Sequence, residues 1–597
     1  MCGICGYMQE KEITNNEIIL KMCDYLNNSK NNFYIYNNIA LGSNTTEKIV
    51  DGKKFTIAYT GKIYNLNVLK NVLTTRGYTF ETNNEAEIML SLYIEFKETM
   101  LKFINGIFAF SIYDENTNSI FIAKDRLGVK PLYYSLIDNT LIFSSQIKGI
   151  LASNLVTPTI GKEELLELLA LGPAHSPGKT YFKDIFELKA GHYAIYTNNE
   201  LKITKYWDLR EKKLLDNDNE IIANAKELVT DATKKQIADT NVATMLSGGL
   251  DSSIVTKIVS DNLNSLSTYS INYENNDEDF VANSYQQTKD SDFVKVMVKY
   301  LNTDHKNIIV TDKDLFNNLY EAVIARDMPG MADIDSSMYV FCKAIANNNE
   351  KVVLSGECSD EIFGGYPWFY KEHLKQAKGF PWALSETLRE NLLKDGILDK
   401  NEIFSYILKS KNDTLKNVTH ISNDPFENEF KELNYLTIKY FMNTLIERTD
   451  RMAMRSSLEV RVPYADHRIF EYIYNVDAKL KLGLRNGDNV TEKYILKQAF
   501  KNDIPTDITN RKKSPFPKTY SKEYLKLLEE KLTQLIDEPT SRIHEIININ
   551  YVKKLIATHG EELTENLFGQ LMTYPQTLAF IIQIDYWLTA YNIKIEI

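Results

Sequence analysis

Three places in this 597-residue chain gather side chains that could do chemistry. The first is Ser247-Gly248-Gly249-Leu250-Asp251-Ser252-Ser253, directly after the apolar stretch Val242 to Leu246 and before the helical stretch Ile254 to Val259. Its glycines let the backbone turn tightly and approach a ligand, while hydroxyls and the free N–H groups of a helix start can receive phosphate oxygens. Asp251 amid those anion-binding groups makes most sense with a divalent cation present. An ordinary strand-to-helix turn with a serine cap is the plain alternative, and the polar residues crowded behind a buried strand argue against it. The second place is Leu354-Ser355-Gly356-Glu357-Cys358-Ser359-Asp360-Glu361, again at the end of an apolar strand. Its carboxylates, Glu357, Asp360 and Glu361, repel one another unless a cation, a basic ligand or solvent compensates. The third is Cys2, because removing Met1 would put a thiol and a free α-amine on one residue. An amine with a pKa of about 7.7–8.0 can accept the proton of a thiol near about 8.5. Alone, a cysteine at position 2 is more often accidental.

Elements that could position these groups are readable along the chain. Phe108 to Tyr113, a turn over Asp114 to Asn118, and Ser119 to Ala123 read as a hairpin. Further strands at Phe55 to Tyr59 and Leu141 to Ser144, with helices near Glu17 to Leu26 and Glu85 to Phe96, predict an α+β sandwich. The charged, Asn-rich run Arg210 to Asn219 lacks apolar periodicity and marks the main boundary. Beyond it, short buried strands at Val242 to Leu246, Leu266 to Tyr273, Ile308 to Val310 and Val352 to Leu354 alternate with helices, the pattern of a parallel α/β sheet. Both loops would then leave the carboxyl edge of one sheet, where doubly wound folds bind ligands. The expected domains are 1–210, 220–520 and a helical extension over 521–597 that packs on the second domain and carries no chemistry.

Composition narrows the function classes. Lys and Arg total 69 against 80 Asp and Glu, a net charge of -11 that opposes nucleic acid and anionic lipid as partners. Small molecules are the expected partners. Five cysteines make no disulfide framework, and no stretch approaches the ~20 apolar residues that span a bilayer, so the expected location is a reducing cytoplasm. Cys23 and Cys342 sit in apolar helical contexts as packed thiols, and the eight histidines have no zinc-ligand spacing.

The first loop resembles the phosphate loop of the ATP pyrophosphatases and lacks the lysine of the GxxxxGK[ST] loop used for γ-phosphate transfer. With the second loop, the resemblance is to the synthetase half of the glutamine-dependent asparagine synthetases. It continues through Arg326 to Gly330, Asp450-Arg451-Met452, Glu459 to Pro463, Thr491 to Leu496 and Arg511 to Pro515, to about residue 520. That family implies ATP and Mg2+, with Ser247, Gly248, Gly249, Asp251, Ser252 and Ser253 around the pyrophosphate and Asp251 and Asp360 as magnesium ligands. It implies Leu246 and Ile271 against adenosine, and Ser355 and Gly356 near ATP and aspartate. Glu357 matches the residue that accepts a proton from ammonia as it attacks β-aspartyl-AMP, and Lys493 the residue that neutralises phosphate charge during adenylation. Cys358 stands where the family has Gly, a conservative change if φ there is negative.

Cys2-Gly3-Ile4-Cys5-Gly6 and Asp125 to Tyr134 resemble the N-terminal nucleophile glutaminases, which release ammonia from glutamine, with Cys2 as nucleophile. The glutamine pocket departs from that pattern. Where the family has Asn-Gly-Glu-Ile-Tyr-Asn, this chain has Thr60-Gly61-Lys62-Ile63-Tyr64-Asn65; the carboxylate-clamping Arg falls at Thr45, and Ser-Asp-x-Glu reads Asn84-Glu85-Ala86-Glu87. An Arg-Gly-Pro-Asp motif is missing around Ser29 to Asn32. Losing an oxyanion donor costs about 10²–10³ in rate, and Lys62 opposes glutamine's ammonium.

The resemblance therefore implies asparagine formation from aspartate, with ammonia or glutamine as nitrogen donor, and a homodimer as the family's assembly. An alternative is amide formation on another carboxylate, as in the related β-lactam synthetases and lasso-peptide cyclases with silent glutaminase halves. A non-catalytic ATP or amino-acid sensor would need a broken nucleotide loop, which this is not, and a tRNA-modifying relative would want a basic docking face.

Overall fold

The computed structural model describes every residue except 1–2, 27–32, 43–44, 51, 81–83, 239–240, 275, 277–287 and 488. Cys2 and the stretch Ser29 to Asn32 therefore lie outside the described residues. The chain divides into two compact units: Met1–Gly161 with Pro177–Asp208 and Lys594–Glu596, and Lys162–Ser176 with Leu209–Ile593 and Ile597. Against the sequence reading, Lys162–Ser176 goes with the second unit and the last strand with the first.

In the first unit the strands are β1 (Cys5–Met8), β2 (Phe33–Tyr36), β3 (Ile39–Gly42), β4 (Thr45–Val50), β5 (Lys53–Ile63), β6 (Gly106–Asp114), β7 (Ser119–Lys124), β8 (Tyr133–Ile137), β9 (Thr140–Ser144), β10 (Thr159–Gly161), β11 (Phe186–Glu187), β12 (His192–Thr197) and β13 (Glu200–Lys205). They form two antiparallel sheets, β11-β8-β9-β1-β3-β2 and β13-β12-β7-β6-β5-β4. On β6 the side chains alternate as a pleated strand requires. Ala109 and Tyr113 meet Ile4, Met8, Ile39 and Leu41 between the sheets. Phe108, Phe110 and Ile112 face Ile88 and Leu92 of the helix Glu85–Phe96. Asn84 starts that helix by accepting the Ala86 N–H at 3.0 Å. The helix Glu17–Tyr25 buries Ile19, Met22 and Cys23. This is the expected α+β sandwich.

The second unit is built on β14 (Ala243–Met245), β15 (Ser267–Tyr273), β16 (Asp304–Val310), β17 (Val352–Leu354) and β18 (Glu459–Arg461). They form one parallel sheet in the order β16-β15-β14-β17-β18. β14 and β17 are buried throughout, as central strands covered on both faces are. Their register pairs Ala243 with Val353 and Thr244 with Leu354, so the loops after them emerge side by side. β18 was not anticipated as a strand, because three residues carry no period. Helices complete this unit, among them Tyr574–Ala590, which is buried along most of its length. Beyond it β19 (Lys594–Glu596) pairs in parallel with β10. Among the described residues no helix is long and apolar enough to cross a membrane.

Candidate functional site

The loop after β14 runs into the helix Leu250–Ser260, whose first turn carries Asp251, Ser252 and Ser253. The Ser247 and Ser252 hydroxyls lie 2.9 Å apart and hold the turn closed. Gly248 has φ +69°, and a Cβ there would meet the Val294 backbone nitrogen at 2.7 Å. A Cβ on Gly356 of the neighbouring loop would meet the Ser252 nitrogen at 2.7 Å and the Asp251 carbonyl carbon at 2.9 Å. The two loops therefore pack backbone to backbone, and both glycines are steric requirements.

This contact brings Asp251 and Asp360 together. The Ser359 hydroxyl donates to Asp251 Oδ1 at 2.7 Å. Lys493 donates to Asp251 Oδ2 and stands 2.6 Å from Asp360 Oδ1, while Lys513 donates to Asp360 Oδ2 at 2.6 Å. Burial alone would lower the Lys493 pKa, but Asp251 and Asp360 outweigh it and hold this ammonium protonated well above the ordinary lysine range. Burial likewise pushes Asp360 up, and Lys493 and Lys513 bring it to a net value below the usual carboxylate range. Lys493 itself has φ +54° at the start of the helix Tyr494–Ala499, a strained backbone at the centre of the cluster. Among the described residues no three metal-ligating side chains converge. Two carboxylates that already share a cation suit Mg2+ completed by phosphate oxygens and water.

Glu357 follows Gly356. Its Oε1 accepts from Arg448 Nη2 at 2.6 Å and from the Thr449 hydroxyl at 2.9 Å, and its buried Oε2 has no partner among the described residues. Burial, then the charge of Asp360, pushes Glu361 up to about 7, and Tyr366 donates to it at 2.8 Å. Cys358 has φ +72°, so the condition under which replacing Gly would be conservative fails. A side chain is held there in the left-handed region at a cost of about 1–2 kcal/mol.

One cavity of about 230 Å3 joins these groups. Of the residues expected around ATP and the acyl group, Leu246, Ser247, Gly249, Asp251, Ser252, Ile271, Ser355, Gly356, Glu357 and Asp360 line it, whereas Gly248, Ser253 and Lys493 do not. The sequence reading passed over several others. Arg511 donates to Asp290 and, at 3.4 Å, to the Ser247 carbonyl. Ser514 also donates to Asp290, at 3.1 Å. Phe568, Gly569, Gln570 and Leu571 close the wall, which corrects the reading of the C-terminal extension as packing alone. Phe568 stacks on Phe441 with ring centroids 5.4 Å apart. Residues 511–515 had a signal in the resemblance; Arg448 and Phe568 had none.

In the first unit, Thr45 stands opposite Ala58 on β4 and β5, two residues before Thr60, so the two threonines share a face. Lys62 Nζ lies 2.5 Å from Glu85 Oε1, while Glu85 Oε2 accepts from the Tyr59 hydroxyl at 2.7 Å and the Ile63 N–H at 3.2 Å. Gly61 has φ +137°, and a Cβ would meet the Ile107 carbonyl at 2.1 Å. The Asp125 carboxylate accepts N–H groups from Phe108, Leu127, Gly128, Val129 and Lys130, which makes it a buried organiser of its loop.

Fold and site together define a ligase-type nucleotide site on a parallel sheet, carried in one chain with an amidotransferase-type sandwich. A family model described as Asparagine synthase matches residues 224–589, and one described as Glutamine amidotransferase domain matches residues 1–207. "Asparagine synthetase [glutamine-hydrolyzing] 3" of Bacillus subtilis (strain 168) is 37% identical over 621 residues, covering 100% of each chain. "Amidase chry2" of Gibberella zeae is 26% identical and covers 76% of each chain. A solved glutamine phosphoribosylpyrophosphate amidotransferase from B. subtilis aligns with a TM-score of 0.27 at 14% identity, covering 41% of this chain and 60% of its own. The chain belongs to the asparagine synthetase family and is an enzyme of that family.

Proposed function

We propose that the second unit joins the side-chain carboxylate of aspartate to ammonia by way of β-aspartyl-AMP. The carboxylate oxygen attacks the α-phosphorus of ATP and pyrophosphate leaves; ammonia then attacks the acyl carbon, AMP leaves, and asparagine forms. The observation that carries this reading is the cavity lined by Ser247, Ser252, Asp251, Asp360 and Glu357, with Lys493 bridging the two aspartates and Oε2 of Glu357 left without a partner among the described residues. The helix start at Leu250 and the serines bind phosphate oxygens, and Lys493 meets charge as it develops on the leaving pyrophosphate. Asp251 and Asp360 are the residues that would hold magnesium, which when bound would supply further charge neutralisation there. Glu357 Oε2 receives the proton that the attacking nitrogen sheds, while Arg448 and Thr449 hold its Oε1. Leu246 and Ile271 pack the adenosine.

For the nitrogen donor we propose ammonium ahead of glutamine. The Lys62–Glu85 pair puts the protein's own ammonium on the carboxylate that a glutamine ammonium would need. The Thr45 and Thr60 hydroxyls replace a guanidinium and an amide. Cys2 would remain the nucleophile of whatever glutaminase activity persists. A second reading, amide formation on a larger carboxylate, draws on the aromatic wall of Trp368, Phe441 and Phe568 and on relatives named amidases.

The test is pyrophosphate release with Mg-ATP and aspartate, with ammonium and glutamine in parallel arms and asparagine read directly. Asparagine is expected with ammonium, and with glutamine at about a hundredth of that rate or less. Equal rates would overturn the donor assignment, and no asparagine in either arm would pass the synthetase to another carboxylate.

A further inference from the structure

Arg448 lies in the helix Asn443–Arg455, lines the cavity, and has a side chain only 3% exposed. One of its nitrogens, Nη2, is committed to Glu357. Among the described residues, Nε and Nη1 have no hydrogen-bond acceptor. The neighbouring Glu447 serves Arg326 at 2.8 Å and His175 at 3.4 Å instead. The guanidinium lies over the ring of Phe516, 5.0 Å from its centroid, and Phe516 lines the same cavity. The buried Asp335 carboxylate feels the Arg448 charge without accepting a hydrogen bond from it; buried donors of a charged group without an acceptor are costly to leave unmade, and on a residue that lines a cavity they point to an anion that completes them.

We propose that Arg448 determines acyl-substrate specificity by binding a second anionic group, one that does not react, so that the enzyme selects dicarboxylates. This rests on the synthetase reading above and deepens it. The activated carboxylate is placed by the phosphate loop and Lys493, and the phosphates already have Lys493, Lys513 and Arg511 around the loop. Arg448 sits instead against Glu357, one residue past Gly356, where the remainder of the acyl substrate lies once its reacting carboxylate faces ATP. For aspartate the bound group is the α-carboxylate. The Thr449 hydroxyl also holds Glu357 Oε1, so Glu357 keeps an anchor when Arg448 is changed.

The experiment measures kcat/KM for aspartate and for 3-aminopropanoate, which keeps the amine and the reacting carboxylate but lacks the second one. Both are assayed by pyrophosphate release in full-length wild type, R448Q and R448K, with KM for ATP and thermal unfolding recorded for each. Wild type is expected to prefer aspartate; in R448Q both substrates lose what the loosened Glu357 costs, and aspartate loses about 10- to 100-fold more than 3-aminopropanoate does. R448K, which keeps the charge with fewer donors, falls between, and it carries the comparison if R448Q does not fold. An equal fall on both substrates, or a matching rise in KM for ATP, overturns the proposal. If wild type does not use aspartate, the synthetase reading fails on its own, and the same comparison runs on other dicarboxylates and their monocarboxylate counterparts. Selective turnover of a dicarboxylate that R448Q abolishes upholds the role of Arg448; turnover confined to monocarboxylates, or none, overturns it.

Discussion

Gly356 has no side chain because none would fit. A Cβ there runs into the backbone of Ser252 and Asp251, neither of which can swing aside as a flexible side chain would. Gly356→Ala is therefore expected to push the two loops apart and lower pyrophosphate release by at least about 100-fold, the cost of misplacing reacting groups by about an ångström. Cys358, two residues on, is the opposite case: the chain keeps a side chain at φ +72° where glycine would be unstrained. Its neighbours in sequence give no hint of that angle. Ser247, Asp251 and Glu357 were legible as candidate site residues because they stand in contiguous loops after apolar strands. Arg448 was not, since one arginine on a helix rich in charge has no local pattern to distinguish it.

At the scale of elements, two loops after adjacent parallel strands share one ammonium. Lys493 is 242 residues from Asp251, and it is the fold that places it between Asp251 and Asp360. Removing it leaves two buried carboxylates with Lys513 as their cationic partner. Lys493→Gln is expected to lose about 3–5 kcal/mol of stability without ligand, the range for breaking a buried ion pair. It should also gain more from Mg2+ than wild type does, because the vacated carboxylates then take the ion more tightly. Thermal unfolding with and without Mg2+ checks both, and an equal Mg2+ shift in the two proteins would count against Asp251 and Asp360 as its ligands. The strands themselves were readable where apolar runs end in glycine, as at Val352 to Gly356. β18 was not, because three residues become a strand only by pairing with β17.

At the scale of the molecule, the helix Tyr574–Ala590 ties the end of the chain to the segment that leads into the helix Asp333–Asn347. Gln576 donates to Asp333 Oδ2 at 3.1 Å, and Gln583 accepts the Gly330 N–H at 3.2 Å. Burial pushes Asp333 up to about 6, Gln576 and the nearby Lys518 pull it back, and Asp335 adds to the rise. The unfolded chain ionises this group from about pH 4, whereas the folded chain keeps it protonated to about 6. The folded state then binds more protons across that window, so this group's contribution to stability falls as pH rises through it. Asp333→Asn removes that dependence: between pH 4 and 6.5 the stability difference should move toward the variant by up to about 3 kcal/mol, read by urea unfolding at several pH values. A constant difference would refute the assignment. The two-part α+β and α/β architecture was legible in the sequence alone, as were the Gly-rich loop after Val242 to Leu246 and the departures from the family's glutaminase motifs at Thr45, Thr60 and Lys62. These rest on residue type, short-range spacing and strand period, all of which are local. Only the tertiary structure decided that Lys493 bridges two loops, that Lys62 occupies Glu85, that Arg448 lines the cavity with open donors, and that Phe568 to Leu571 wall it. Each joins residues far apart in the chain, and such contacts are set by how strands and helices pack, which no local pattern encodes.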